Sequence, residues 1–287
     1  MSDRFAIGIA ALGRLPLYEL VPMFVLPGIF IGGLAVFCLR SALYGMPRSP
    51  RVAKVKQTLL PRMVLEFGIW FFDLPVRGLA AVGVSPDSLT ITSGLLALVS
   101  AFYCALGHML LGGWLLYLSF IFDLLDGAVA RKLGISSDRG EFLDALVDRY
   151  ADFFLSLGFM WYYRDDPLPL ALVALGMIGA SVMGYARAKG EAVGIDPNVG
   201  WLQRHERAVV IGTGTVFSPI VSAFVEPSAL HPRFPLLILA LGIAAFFTNL
   251  SAVWRGVYVL RRMPARPAPA PAGRVATRHD EEEPRAA

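Results

Sequence analysis

Residues 122–152, FDLLDGAVARKLGISSDRGEFLDALVDRYAD, hold two pairs of aspartates: Asp123 with Asp126 at i, i+3, and Asp144 with Asp148 at i, i+4. Residues at those spacings share one face of a helix. Two helices joined by a short turn would therefore bring four carboxylates together, and Gly134 is suited to end the first helix in a left-handed cap. Carboxylates gathered in an apolar setting repel one another. Each also costs about 2.5–3.5 kcal/mol near the centre of a membrane helix. One or two hard divalent cations would remove both penalties. All-oxygen ligation favours Mg²⁺ or Mn²⁺ over zinc, which would call for His or Cys. Such ions commonly hold substrate phosphates. Gly127, Ala130 and Gly140 leave room for a ligand beside the carboxylates, and Arg131, one turn beyond Asp126, is placed to grip a phosphate through paired hydrogen bonds. Ala128 and Gly158 fit ordinary helix packing instead.

The elements that carry these residues belong in lipid. Of the 287 residues, 56% are hydrophobic and 17% charged, with a mean hydropathy of +0.59; soluble domains carry about 25% charged residues. The basic residues lie between apolar segments rather than in an exposed run, so nucleic acid is not an expected partner. Cys38 and Cys104 both fall in apolar stretches and give no disulfide framework. The four histidines show no metal-ligand spacing. Seven segments approach the roughly 20 apolar residues that a span requires: Leu20–Leu39, Leu89–Leu106, Leu110–Leu125, Phe142–Tyr163, Leu168–Ala186, Ala208–Phe224 and Phe234–Val257. The fold class expected is an all-α integral membrane protein with six core helices and one extra N-terminal membrane helix.

Arg40, Arg48, Arg51, Lys54, Lys56 and Arg62 follow the first span, and further basic residues cluster in every second loop. The basic side, and with it the acidic hairpin, should face the cytoplasm. Residues 1–48 read as an N-terminal extension with one membrane helix. Residues 49–83 mix basic and aromatic side chains and suit a helix lying in the interface plane. Residues 84–262 form the catalytic membrane domain. Residues 263–287, rich in Pro and Ala, read as a disordered cytoplasmic tail. Ser85-Pro86-Asp87-Ser88 reads as a turn and N-cap opening the first core helix.

The acidic string fits D-x-x-D-G-x-x-A-R, eight residues, then G-x-x-x-D-x-x-x-D without a mismatch. It resembles the signature of the CDP-alcohol phosphotransferase family, and the resemblance runs from about Val84 to Val257. It implies a six-helix core, usually dimeric, in the cytoplasmic membrane with its site toward the cytoplasm. It also implies transfer of a phosphoalcohol group from a CDP-alcohol to an acceptor hydroxyl, releasing CMP. Carried over by position, Asp123, Asp126 and Asp144 would bind the divalent metal. Asp148 would be the catalytic base and could also touch metal. Gly127, Arg131 and Ser137, with Ala130 and Gly140 beside them, would meet the CDP part. Ser85 to Thr90 is similar to a short family element near the nucleotide, which makes Pro86, Asp87 and Thr90 candidates. Tyr185 to Glu191 and Gln203 to Arg207 resemble the segments that phosphatidylinositol phosphate synthases use against inositol phosphate. Arg187, Lys189, Arg204 and Arg207 would then bind an anionic acceptor, although cytoplasmic loops are basic in any case. The expected reaction is phosphatidyl transfer from CDP-diacylglycerol to inositol phosphate, with glycerol 3-phosphate as the alternative acceptor. A prenyltransferase would need aspartate motifs in two separated regions, and a proton-coupled transporter would need acids along a through-path.

Overall fold

The computed structural model describes residues 17–47, 62–197 and 199–263. The expected tail from Pro264 onward, and residues 49–61 of the expected interfacial segment, lie outside them. Among the described residues there are eight helices and no strand: α1 (Leu17–Tyr44), α2 (Arg62–Val82), α3 (Pro86–Ala105), α4 (Met109–Leu133), α5 (Asp138–Tyr162), α6 (Pro167–Ala192), α7 (Arg204–Val225) and α8 (Pro235–Arg262). Six of them, α1, α3, α4, α6, α7 and α8, are long and apolar enough to cross a membrane. The chain is an integral membrane protein. The seventh expected span, α5, has 25 residues, about 38 Å at the helical rise. Its first half is too charged to qualify by composition, because it carries the acidic residues of the hairpin.

α3 packs between α4 and α5, and α8 packs between α6 and α7; contacts of α4 with α7 and of α5 with α6 close the six core helices into a ring. The close approaches are made at small residues. A methyl group added to Gly158 of α5 would lie 2.4 Å from the Ala101 carbonyl oxygen of α3. One added to Gly113 of α4 would lie 2.9 Å from the Val216 backbone nitrogen of α7. Lipid offers no hydrophobic drive between helices, so backbone proximity and packing hold the ring together. Gly158→Ala should force α3 and α5 apart at a rigid backbone contact, at the 1–3 kcal/mol or so typical of overpacking. The expected result is a lower thermal midpoint in detergent; an unchanged midpoint would show that the two helices slide apart without loss.

α1 and α2 stand against the outside of the ring. Phe30, Phe37, Phe67, Trp70 and Phe71 form one aromatic stack between them, and Val76 of α2 joins Leu89, Leu125 and Val129 in a buried cluster with α3 and α4. Asp73 of α2 pairs with Arg77 and lies 3.5 Å from Lys132 of α4. The Arg77 hydrogen bond holds the Asp73 carboxyl below its usual range.

Candidate active site

The site begins where the apolar run of α4 ends. Nothing in DGAVARKL stops a helix, so α4 runs on to Leu133 and ends at Gly134, whose φ of 70° is left-handed and costs glycine little. The Gly134 and Ile135 N–H groups both reach the Ala130 carbonyl. Ser137 then caps α5, its hydroxyl accepting from the Gly140 N–H at 3.2 Å. This tight hairpin turns the aspartates of α4 and α5 toward one another.

One carboxylate oxygen from each of Asp123, Asp126 and Asp144 lies within 4.8 Å of the others. Asp126 is buried; the Thr90 hydroxyl of α3 donates to its Oδ2 at 2.5 Å, and the Gly127 N–H donates to its Oδ1. Asp123 Oδ1 is also buried and meets no donor. Three converging carboxylates, one with an orphaned buried oxygen, fit a hard divalent cation. Asp148 stands outside this triad. Its Oδ1 lies 2.5 Å from Arg204 Nη2, while Arg204 Nη1 lies 3.0 Å from Asp123 Oδ2. A single guanidinium from α7 thus bridges α4 and α5.

Thr90 fixes the orientation of one of the three converging carboxylates from behind, and for a metal ligand partners of this kind are typically worth 10–100-fold in metal affinity or activity. Thr90→Val keeps the shape and removes the donor. It should weaken Mn²⁺ binding by about tenfold or more, read by calorimetric titration; unchanged affinity would remove Thr90 from the site.

A cleft of about 440 Å³ opens on the triad, within the 300–1,000 Å³ or so of small-molecule sites. Pro86, Asp87 and Thr90 of α3, Gly127, Ala130 and Arg131 of α4, and Ser137 and Gly140 all line it, with Asp126 and Asp144. The structure therefore gathers every residue expected to meet a nucleotide. Because Ser137 caps α5 as an acceptor, its hydroxyl proton stays available to the cleft. Sequence reasoning passed over Ser136, Asp138 and Glu141, which share the lining; only their place in the hairpin turn could have pointed to them.

A second cavity of about 710 Å³ lies between α2, α4 and α7. Its walls are mainly apolar, including Val64, Ile69, Phe72, Leu124 and Val209. Arg131 lines this cavity as well as the polar cleft, the one residue common to both linings.

The four basic residues expected to bind an acceptor fall into two groups. Arg204 lies on the carboxylates, and the neighbouring Arg207 is buried against Asp152 at 2.6 Å. Arg187 and Lys189, at the end of α6, are exposed; Arg187 pairs with Glu191 at 2.8 Å and Lys189 sits over the Tyr185 ring. Arg255 of α8 was not anticipated. It is buried, its Nε donates to the Val199 carbonyl at 2.7 Å, and Arg187, Glu191 and Asp196 are its charged neighbours. A buried arginine in a membrane helix is the signal that could have marked it.

A ring of membrane helices that closes a carboxylate triad at the wall of a polar cleft defines a metal-dependent membrane enzyme acting on a phosphorylated substrate. A CDP-alcohol phosphatidyltransferase family model matches residues 83–248. The chain belongs to that family, and is an enzyme of its class. It is 32% identical over 193 residues to the phosphatidylinositol phosphate synthase of Mycobacterium tuberculosis, covering 65% of this chain and 87% of that one. Its fold is similar to the crystal structure of the Mycobacterium tuberculosis phosphatidylinositol phosphate synthase with CDP-DAG bound, at a TM-score of 0.56 and 27% identity, over 65% of this chain and 92% of the other. The structure of the same enzyme with manganese and citrate matches at a TM-score of 0.56 and 28% identity, over 67% and 89%.

Proposed function

We propose that this enzyme transfers the phosphatidyl group of CDP-diacylglycerol to a hydroxyl of inositol phosphate, releasing CMP. The observation that carries this reading is the junction at Arg131. A polar cleft with a carboxylate triad and a large apolar groove share that residue, and they suit the nucleotide head and the acyl tails of one amphipathic substrate with its diphosphate between. The acceptor assignment is supported by Arg187, Lys189, Arg204, Arg207 and the newly seen Arg255, a concentration of cations around the end of α6 and the start of α7 that suits an anionic alcohol. The related enzyme named for this product supports it further.

In this reading Pro86, Asp87, Thr90, Gly127, Ala130, Ser137 and Gly140 shape the nucleotide site, and Arg131 holds the diphosphate by its planar fork. Asp123, Asp126 and Asp144 would hold Mg²⁺ or Mn²⁺. When bound, the cation neutralises the diphosphate and the charge developing on departing CMP. Asp148, on the next turn of α5 from Asp144, takes the proton of the acceptor hydroxyl. The acceptor oxygen then bonds to the phosphatidyl phosphorus as the bond to the CMP oxygen breaks. The basic loops support a cytoplasmic orientation for this end of the ring, in the cytoplasmic membrane, and a homodimer is what the sequence resemblance implies.

The test is CMP release by purified protein given CDP-diacylglycerol, Mn²⁺ or Mg²⁺, and one acceptor at a time. Inositol phosphate should support release, and free inositol and glycerol 3-phosphate should not. Release with glycerol 3-phosphate alone would replace the acceptor, and no release with any alcohol would overturn the reading.

A further inference from the structure

We propose that α2 is the wall that selects the acyl chains of the lipid substrate, that Gly68 on it sets how much chain is admitted, and that α1 braces this wall from outside. The inference rests on the transferase reading above and deepens it. Both helices precede residues 83–248, the stretch that the family model matches. Of the three helices around the cavity of about 710 Å³, α2 supplies the largest share of the lining. Leu65, Gly68, Ile69, Phe72 and Val76 make most of that contribution, at the i, i+3 and i+4 steps of one helix face. Phe67, Trp70 and Phe71 stand on the other face and stack on Phe30 and Phe37 of α1. Phe37 and Phe67 are buried in that contact. Gly33 of α1 lets the two helices close up, since a methyl group on it would lie 2.7 Å from the Phe71 ring.

A wall helix with a cavity on one side needs support from the other. α2 carries Arg62, Glu66, Asp73 and Arg77 and is not among the helices apolar enough to cross a membrane, whereas α1 is. Gly68 is unlike the glycines at the helix contacts. A methyl group added to it would meet nothing within 4 Å, and its backbone is not left-handed. Neither a close approach nor a turn therefore calls for glycine there, and a glycine inside a helix is less stable than alanine. What this one yields is open volume on the cavity wall. The chains reach the cavity from lipid that is as apolar as its lining, so burial by itself gives little preference. Shape decides which chains enter, because excess bulk in a packed apolar space is penalised. A side chain at position 68 would take up room that the end of a long chain needs.

The test measures CMP release by the purified protein from dioctanoyl and from dipalmitoyl CDP-diacylglycerol in mixed micelles, with inositol phosphate or whichever alcohol supports release. Gly68→Leu should lower kcat/KM for the dipalmitoyl lipid by about tenfold more than for the dioctanoyl lipid, through KM. Gly68→Ala should shift the ratio the same way by a smaller step. In a Phe37→Ala background, where the wall can yield, Gly68→Leu should cost the long chain less, a coupling that a stack serving stability alone would not produce. Equal losses with the two chain lengths, or no loss with either, would overturn the role of Gly68 and leave the transferase reading standing. Additive effects of the two substitutions would remove α1 as the brace. No release by the unmodified protein from either lipid would overturn the transferase reading, and this proposal with it. If Gly68→Leu does not fold, Gly68→Ala, whose methyl group has room, decides by the same ratio.

Discussion

Asp148→Asn should lower CMP release by roughly 10²–10⁴-fold, the usual worth of a positioned general base. The substitution keeps the size of the side chain and its place on α5 and removes its charge and its ability to take a proton. CDP-diacylglycerol should bind as before, because Asp148 lies outside the lining of the nucleotide cleft. The loss should therefore fall on kcat with KM for the lipid substrate unchanged. A purely structural role would read differently. One arm of the Arg204 bridge would weaken, the thermal midpoint would fall, and turnover would drop only as far as folded protein was lost. A variant that folds, binds substrate and retains turnover would remove the base role from Asp148.

Asp144→Asn should abolish turnover and yet make the metal-free protein more stable. Asp123, Asp126 and Asp144 have oxygens within 4.8 Å of one another, and like charges at that separation repel by about 3 kcal/mol per pair at an effective dielectric near 20. Neutralising Asp144 removes two of those repulsions and, in the proposed reading, also removes a cation ligand. The thermal midpoint without divalent ions should therefore rise, while the stabilisation that Mn²⁺ gives the unmodified protein by binding the folded state should disappear. Opposite signs with and without the ion separate this from a general effect on folding. A variant that kept the Mn²⁺-dependent rise would exclude Asp144 from the triad. Such a trade, with stability given up to assemble the site, is common where like charges are forced together for function.

The helices that bear the chemistry were legible, but apart from the Ser85 cap opening α3 and the Gly134 cap closing α4 their ends were not. Apolar runs locate the part of a helix that lies in lipid, and all seven expected spans have helices at their positions. Yet α4 continues two turns past Leu125, α6 runs from the expected Ala186 to Ala192, and α7 begins a turn before Ala208. Those extra turns hold Arg131, Arg187, Lys189, Arg204 and Arg207. Their residues are charged, so hydropathy is silent on them, and only the caps mark where they stop: Gly134, Ser137 and the Gln203–Glu206 box. The charge that keeps α5 from qualifying as a span has the same origin, because its first half belongs to the site.

What the sequence alone determined is the inventory: lipid as the solvent, a hairpin with four aspartates on facing sides, and small residues with an arginine beside them. Helical periodicity and short-range turn chemistry are local, so spacing along the chain is enough to read them. Which partners those groups meet was decided by the ring of helices. Thr90 reaches Asp126 from 36 positions away, and Arg204 reaches Asp123 across 81. No periodicity links such residues, and the positive-inside pattern already accounts for an arginine at the start of α7. Packing of α7 against α4 puts that arginine on the carboxylates, and packing of α2 against α4 leaves an apolar groove beside Arg131. The four aspartates are a property of one hairpin; the arginine that bridges two of them and the two cavities that share Arg131 are properties of the folded ring.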